Sequence, residues 1–166
     1  PRSEYNAEVQ RISNELLAFA MTKGIYYQLR MVDEGGDELL RVESISASDS
    51  MKAYRIAPQQ ELRHARESFY RLITDVLTGD QIAFAPAELV NQANERIPVI
   101  SFAIPFVGMK QRHGILIANV FGKNLLQIME GKRHFEIGGK VALVAGDGHY
   151  LYHSEKKKDW NKLLAS

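Results

Sequence analysis

The sequence predicts an α+β domain in which a five-stranded antiparallel sheet carries helices on one side. Three observations point there. Apolar residues recur at helical spacing in two long stretches, runs rich in β-branched and aromatic residues are separated by glycine-containing turns, and the order is helix, two strands, helix, three strands, helix. No repeat of fixed period interrupts that order.

The first helix is read from Ser3 to Lys23, where Tyr5, Val9, Ile12, Leu16 and Phe19 alternate at spacings of four and three. That stripe suits either packing on the helix's own domain or a two-helix dimer seam. Gly24 ends it. Ile25 to Val32 and Leu39 to Ile45 then read as strands, joined by a hairpin through Asp33-Glu34-Gly35-Gly36-Asp37. Ser46 to Ser50 is small and polar, a loop leading to Tyr54-Arg55-Ile56. Helix is expected to resume at Pro58, with Leu62, Ala65, Phe69, Leu72 and Val76 on one stripe and Gly79 at the end. Three further strands are expected, Gln81 to Phe84, Val99 to Phe106 and Gly114 to Phe121. A short helix is expected between Gly122 and Gly131, then a hairpin of Lys140 to Ala145 and His149 to His153 around Gly146-Asp147-Gly148.

Composition sets outer limits on function. The 166 residues are 45% hydrophobic and 25% charged, ordinary values for a folded domain able to bury a core without staples. A formal charge of +1 gives no electrostatic footprint for nucleic acid. The absence of cysteine removes thiolate metal sites, thiol nucleophiles and disulfides together. No apolar run reaches the roughly 18–20 residues that a membrane-spanning helix needs. The first residue is Pro1 and not Met, so the chain reads as a piece excised from a larger protein.

Chemistry-bearing motifs are sparse. Lys140 to Tyr150 (KVALVAGDGHY) imitates a strand followed by a phosphate-binding glycine loop, but the third glycine is missing and Tyr150-Leu151-Tyr152-His153 alternates like a strand where a helix N-terminus should begin. No cofactor is expected. His149 and His153 would share one side of a strand without an acidic partner, a poor metal site, and His64, His113 and His134 lie in no nucleophile arrangement. The run Glu155-Lys156-Lys157-Lys158-Asp159 reads as a solvated face. Arg63, His64, Arg66, Tyr70 and Arg71 crowd basic and aromatic groups onto one helix, where guanidinium forks and a phenol could hold a carboxylate or phosphate. No catalytic constellation is visible, so no enzyme is expected.

MVDEGGDELLRVE (Met31 to Glu43) resembles the hairpin of the double Cache sensor domains of bacterial histidine kinases and diguanylate cyclases. ELRHARESFYRL is similar to that family's helix, AFAPAELVNQANERIPVISFAIPFV to its strand, loop and strand, and GILIANVFGKNLLQIM to its last strand and linking helix. The closing LVAGDGHYLYHSEKKKDW looks like the first hairpin of a second, membrane-proximal Cache unit. The resemblance implies a PAS-like sheet with a long N-terminal helix over residues 1–24, a membrane-distal domain over 25–131, and the start of a second unit over 132–166. It implies a periplasmic sensing domain of an inner-membrane receptor, binding a small molecule and dimerising through the N-terminal helix. The alternative is a ligand-free dimerisation or interaction module. By position, Arg66 and Tyr70 on the helix and Phe84, Ser101, Ala103 and Asn119 on the strands would line the pocket. Ser101 stands where relatives often carry arginine, and the helix lacks the tryptophan-tyrosine pair of the amino-acid binders, so an amino-acid ligand is not implied.

Overall fold

The computed structural model describes residues 2–45, 53–63, 82–92, 95–107, 113–124, 142–144, 148 and 150–153. Helix α1 spans Arg2–Lys23, with Glu4 in its first turn and Lys23 in its last, each opposing the helix dipole. It stops at Gly24, whose φ of 61° is left-handed and whose N–H donates to the Ala20 carbonyl at 2.7 Å. The face that packs inward is Ser13, Leu16, Leu17 and Ala20, a run of i, i+3, i+4 and i+7. It coincides in part with the stripe expected from residue size: Leu16 belongs to both and Val9 and Ile12 are half-buried, while Tyr5 and Phe19 are 41% and 43% exposed. The physical reason is Ala20: a methyl side chain lets the helix backbone approach Leu29 and Val42 closely, and small residues leave little trace in a reading of large apolar ones.

The main sheet has six antiparallel strands: β1 Tyr26–Asp33, β2 Glu38–Ser44, β3 Tyr54–Ile56, β4 Ala83–Gln92, β5 Glu95–Val107 and β6 His113–Phe121. Their order is β3-β2-β1-β6-β5-β4. The sixth strand is β3, which in the sequence is no more than a three-residue run at the end of a polar loop. It pairs with β2 through Val42↔Ile56 and Ser44↔Tyr54. β4 continues past Phe84, through Pro86, to Gln92. Proline is tolerated there because β4 is an edge strand and its register shifts between Ala85 and Glu88, a bulge that spares the missing N–H. Asn91↔Arg96 and Gln92↔Glu95 extend the β4–β5 pairing up to residues 93–94, well beyond the strand end expected at Phe84.

Helix does not resume at Pro58. Gln59–Glu61 form one 3-10 turn, and Leu62 is extended at ψ 144°. The rest of the expected helix, residues 64–79, lies outside the described residues, as do residues 125–131 of the short helix, which begins as a helical turn at 122–124. The expected late hairpin is present as β7 Ala142–Val144 against β8 Tyr150–His153, a separate two-stranded sheet, and Gly148 has the positive φ of 87° that its turn position requires.

Alternation divides the main sheet into two faces. Leu29, Val42, Ile56 and Ala118 meet α1, with Leu16, Leu17, Tyr26 and Tyr54 around them. Val32, Ala103, Ile115 and Ile117 form a second apolar cluster on the opposite face. The β1–β2 hairpin is fixed by Asp33, whose carboxylate accepts the N–H groups of Gly35 and Asp37, both at 2.9 Å, while Gly36 takes a φ of 90°. Gly114 sits where a Cβ would come within 2.5 Å of both the Val32 carbonyl and the Phe106 ring.

Candidate functional site

The face turned away from α1 is where polar groups collect. Ala118 packs toward α1, so its neighbours Ile117 and Asn119 project the other way. Register then defines rows of side chains across this face. One row runs Arg55, Glu43, Gln28, Asn119, Ser101, and the next runs Arg41, Arg30, Ile117, Ala103, Ala83. Beyond Asn119 the neighbouring pair on its other side is Phe121 with Val99.

The centre of the polar row is deeply buried. Ser101 is 3% and Asn119 4% exposed, between Val99 and Phe121 on one flank and Ile117 and Ala103 on the other, all buried. The Asn119 side-chain oxygen Oδ1 has no hydrogen-bond partner among the described residues. An amide oxygen left so costs about 1–3 kcal/mol, enough that a native fold keeps few of them.

At the β2 end the row becomes a network of charges. Glu38, with its side chain 1% exposed, accepts Arg41 Nη1 at 2.9 Å, Arg30 Nη1 at 3.4 Å and the Arg63 N–H at 3.0 Å. Its own N–H donates to the Arg63 carbonyl at 3.0 Å. Arg41 also donates to the Glu61 carbonyl at 3.0 Å and pairs through Nε with Glu43 at 2.9 Å. Arg55 bridges Glu43 and Glu61, both at 2.6 Å. Among the described residues, three guanidinium groups thus meet three carboxylates, and the segment Glu61–Arg63 is tied to the sheet through both main chain and side chain. Hydrogen bonding from Glu43 and Glu61 raises the pKa of the Arg55 guanidinium. Tyr27 stands edge-on to Phe121, ring centroids 5.8 Å apart, and burial, with Glu43 nearby, raises its phenol.

Of the residues expected to line a pocket, Ser101, Ala103 and Asn119 share this face, Ser101 and Asn119 as direct register partners. Phe84 pairs in register with Phe102, one position off the Ala83↔Ala103 and Ala85↔Ser101 pairs. Arg66 and Tyr70 lie outside the described residues. Sequence reading passed over Gln28, Arg30, Glu38, Arg41 and Glu43. The signal was available: in YYQLRMVD and ELLRVES a polar residue recurs at every second position, at Gln28 and Arg30 and at Arg41 and Glu43, marking one polar side inside otherwise apolar strands. Among the described residues no group of three or more His, Asp and Glu could hold a metal ion, and no helix is long and apolar enough to cross a membrane.

With fold and face in view, comparison with known proteins decides the family. The profile of the bacterial histidine kinase sensor domain matches residues 2–166. The chain belongs to that family. No curated protein sequence matches it. Among solved structures, the extracellular domain assigned to the histidine kinase vpHK1S-Z8 superimposes with a TM-score of 0.70 at 20% identity, over 95% of this chain and 57% of that one. A domain of a protein from Vibrio parahaemolyticus assigned to the sensory box/GGDEF family gives 0.66 at 21% identity, over 95% and 58%. The ligand-binding domain of the Campylobacter jejuni chemoreceptor Tlp3, in complex with L-valine, gives 0.60 at 14% identity, over 90% and 53%. The chain spans little more than half the length of each. At these identities the likeness is one of fold, and it agrees with the Cache-type architecture that the sequence resembles. Membership in a sensor-domain family also agrees with the reading of this chain as a sensing unit and not a catalyst.

Proposed function

We propose that this histidine kinase sensor domain is the small-molecule-binding, extracytoplasmic part of an inner-membrane receptor, and that its ligand sits on the sheet face opposite α1. The observation that carries the reading is the pair of neutral polar side chains Asn119 and Ser101, set between buried apolar neighbours with Gln28 beside them in the row, and with a buried acceptor unpartnered among the described residues. A pocket of this kind is mostly apolar with a few convergent polar groups. Arg66 and Tyr70, following on the anchored Glu61–Arg63 segment, complete the proposed lining; Phe84, expected to join them, pairs with Phe102 and through it with Ala118, on the α1 side of the sheet, and is not part of it. Chemoreceptor domains of the same fold crystallised with isoleucine and L-valine support a small-molecule ligand. A kinase output is the first expectation for the parent receptor and a diguanylate cyclase the second, as the sensory box/GGDEF neighbour suggests. Residues 132–166 are proposed as the beginning of a second, membrane-proximal unit. The separate β7–β8 sheet and the half-length match to the neighbours support this division.

Signalling follows if the bound ligand favours one of two arrangements of the sheet and α1, since a ligand with equal affinity for both shifts nothing. The exposed Tyr5 and Phe19 on α1 support a homodimer through this helix. They also favour the second reading, a ligand-free dimerisation module. Two measurements separate them. Mass spectrometry of small molecules released from the purified protein is expected to yield a specific compound, and that compound at 100 times its Kd adds about 2.7 kcal/mol of stability, a melting shift of roughly 5–10 °C. An empty mass spectrum, with no stabilisation by any member of a metabolite library, removes the sensing reading and leaves the dimerisation module.

A further inference from the structure

Resting on the sensing reading above, we infer that Tyr27 is a further ligand-contacting residue of the same site: a register shift in β1 turns it onto the face of Asn119, where its ring takes an apolar part of the ligand and its hydroxyl a hydrogen bond.

Strict alternation would put Tyr27 and Gln28 on opposite faces of β1. The pairing with β6 breaks that alternation, because the two steps from Tyr26 to Gln28 stand against the single step from Val120 to Asn119. A bulge of this kind re-aims a side chain. Tyr26 packs with α1, while Gln28 pairs with Asn119 in register and donates to Glu43 at 3.4 Å. Tyr27 stands edge-on to Phe121, two residues along β6 from Asn119. Two successive residues, Tyr27 and Gln28, thus share the face opposite α1. The charges that act on the Tyr27 phenol, those of Glu43, Arg41, Arg30 and Arg63, belong to the ion-pair corner of that face or to the segment anchored on it.

The ring of Tyr27 is seated on a fixed support. Phe121 is 5% exposed and carries the Lys123 ammonium 5.2 Å from its ring centroid. Its N–H donates to the Ile25 carbonyl at 3.0 Å, which Asn124 Nδ2 also reaches at 3.2 Å, so the end of β6 is held against the start of β1. Tyr27 itself is half-buried, and its hydroxyl makes no hydrogen bond among the described residues. Tyr54, on the α1 side, gives the contrast: its hydroxyl donates to the Tyr26 carbonyl at 2.9 Å. Beside Tyr27, the buried Asn119 Oδ1 is likewise unpartnered among the described residues. Two uncommitted polar groups at one corner, backed by apolar side chains, are what a small-molecule site presents. Tyrosine suits the role, since it offers a large amphipathic surface with few rotatable bonds to order.

The test uses the 166-residue chain labelled throughout with 3-fluorotyrosine, the signal of Tyr27 being assigned by its loss in Tyr27→Phe. The probes are isobutanol, acetamide, imidazole and benzyl alcohol. Binding is followed by saturation transfer to each probe and by the fluorine shifts. The expected result is saturable binding of at least one probe that moves the Tyr27 signal and leaves those of Tyr26 and Tyr54, on the α1 side, in place. Tyr27→Phe keeps the ring on Phe121 and should melt close to wild type, yet weaken that probe by about fivefold, the worth of one hydrogen bond. A methanol extract of the purified chain should displace the probe. A Tyr27 signal that no probe moves, a responding probe bound equally well by Tyr27→Phe, or one that the extract leaves in place each overturns the inference. The sensing reading stands through all three as long as the released molecules include a specific compound; an empty mass spectrum, with no stabilisation by any metabolite, removes both.

Discussion

Removing the carboxylate of Glu38 should be among the most damaging single changes in the described part of the chain. Its side chain is 1% exposed and accepts three donors: Arg41 Nη1 at 2.9 Å, Arg30 Nη1 at 3.4 Å and the Arg63 N–H at 3.0 Å. Glu38→Ala leaves the Arg41 guanidinium, 8% exposed, with Glu43 as its remaining carboxylate, and leaves the Arg63 N–H without its acceptor. Breaking a buried pair from one side costs about 3–5 kcal/mol, because the cost is that of the stranded charge. Glu38→Gln keeps one acceptor oxygen but no charge, so it should cost less, about 1–3 kcal/mol. For a chain of this size each kcal/mol lowers the melting temperature by roughly 2–4 °C, so the alanine variant should melt about 6–20 °C below wild type. Urea unfolding gives the same quantity from the midpoint, provided the slope is unchanged. Replacing Glu38 and Arg41 together by methionine should recover much of the loss, because apolar residues of similar volume strand no charge between them. A loss below about 1 kcal/mol for Glu38→Ala, or a double variant as unstable as the sum of its singles, would refute the reasoning.

Three further outcomes are expected. Gly114→Ala places a methyl within 2.5 Å of the Val32 carbonyl and the Phe106 ring, so β1 and β6 must separate; about 1–3 kcal/mol is lost on overpacking, measurable by thermal melting. Burial raises the phenols of Tyr26, Tyr27 and Tyr54 above their usual value near 10, so the unfolded chain gives up these protons first. The stability they contribute is therefore full below about pH 10 and lost as pH rises through the higher folded values, and Tyr27→Phe should flatten that decline in a pH series of urea midpoints. Phe19→Ser on α1 should weaken self-association in sedimentation velocity with little change in fold; the Phe19–Tyr26 ring contact, 5.5 Å between centroids, limits the stability change to about 1 kcal/mol.

The elements legible in the sequence are those whose cause is local. Asp33 and its glycines announce the β1–β2 turn because the carboxylate bonds the turn's own N–H groups, and Gly24 announces the end of α1 because few residues accept its φ. The elements that escaped reading depend on partners distant in the chain. β3 is three residues long and is a strand because β2 lies beside it, while β4 passes through Pro86 because it lies at an edge. The packing face of α1 was read only in part because Ala20 and Ser13 owe their burial to Leu29, Val42 and the sheet, not to their own hydrophobicity. The site divides in the same way. Ser101, Ala103 and Asn119 were reached through family resemblance, and register places them on one face. Glu38 and Arg41 look like surface charges in sequence, and only the β1–β2 register, with a shift between Met31 and Val32, turns Glu38 toward Arg30.

That shift also explains why charge, and not apolar packing, is used at this corner. Buried ion pairs seldom add stability over well-packed hydrophobic side chains, so their presence at Glu38 and Arg41 calls for a geometric role. An apolar contact tolerates sliding along the sheet. The arrangement here does not: the Glu38 N–H donates to the Arg63 carbonyl, the Arg63 N–H returns to the Glu38 carboxylate, and Arg41 holds the Glu61 carbonyl just before them in the chain. Each bond has a direction and a length, so together they fix the position of the chain just before residue 64. The two positions proposed to meet the ligand from the far side, Arg66 and Tyr70, come within seven residues of that anchor. The ion-pair network therefore sets where the chain enters the proposed site and reaches Gln28, which donates to Glu43 at 3.4 Å, while Asn119 and Ser101 lie beyond it on the same face. Separate residues for anchoring and for recognition allow the ligand contacts to vary without loosening the frame that holds them.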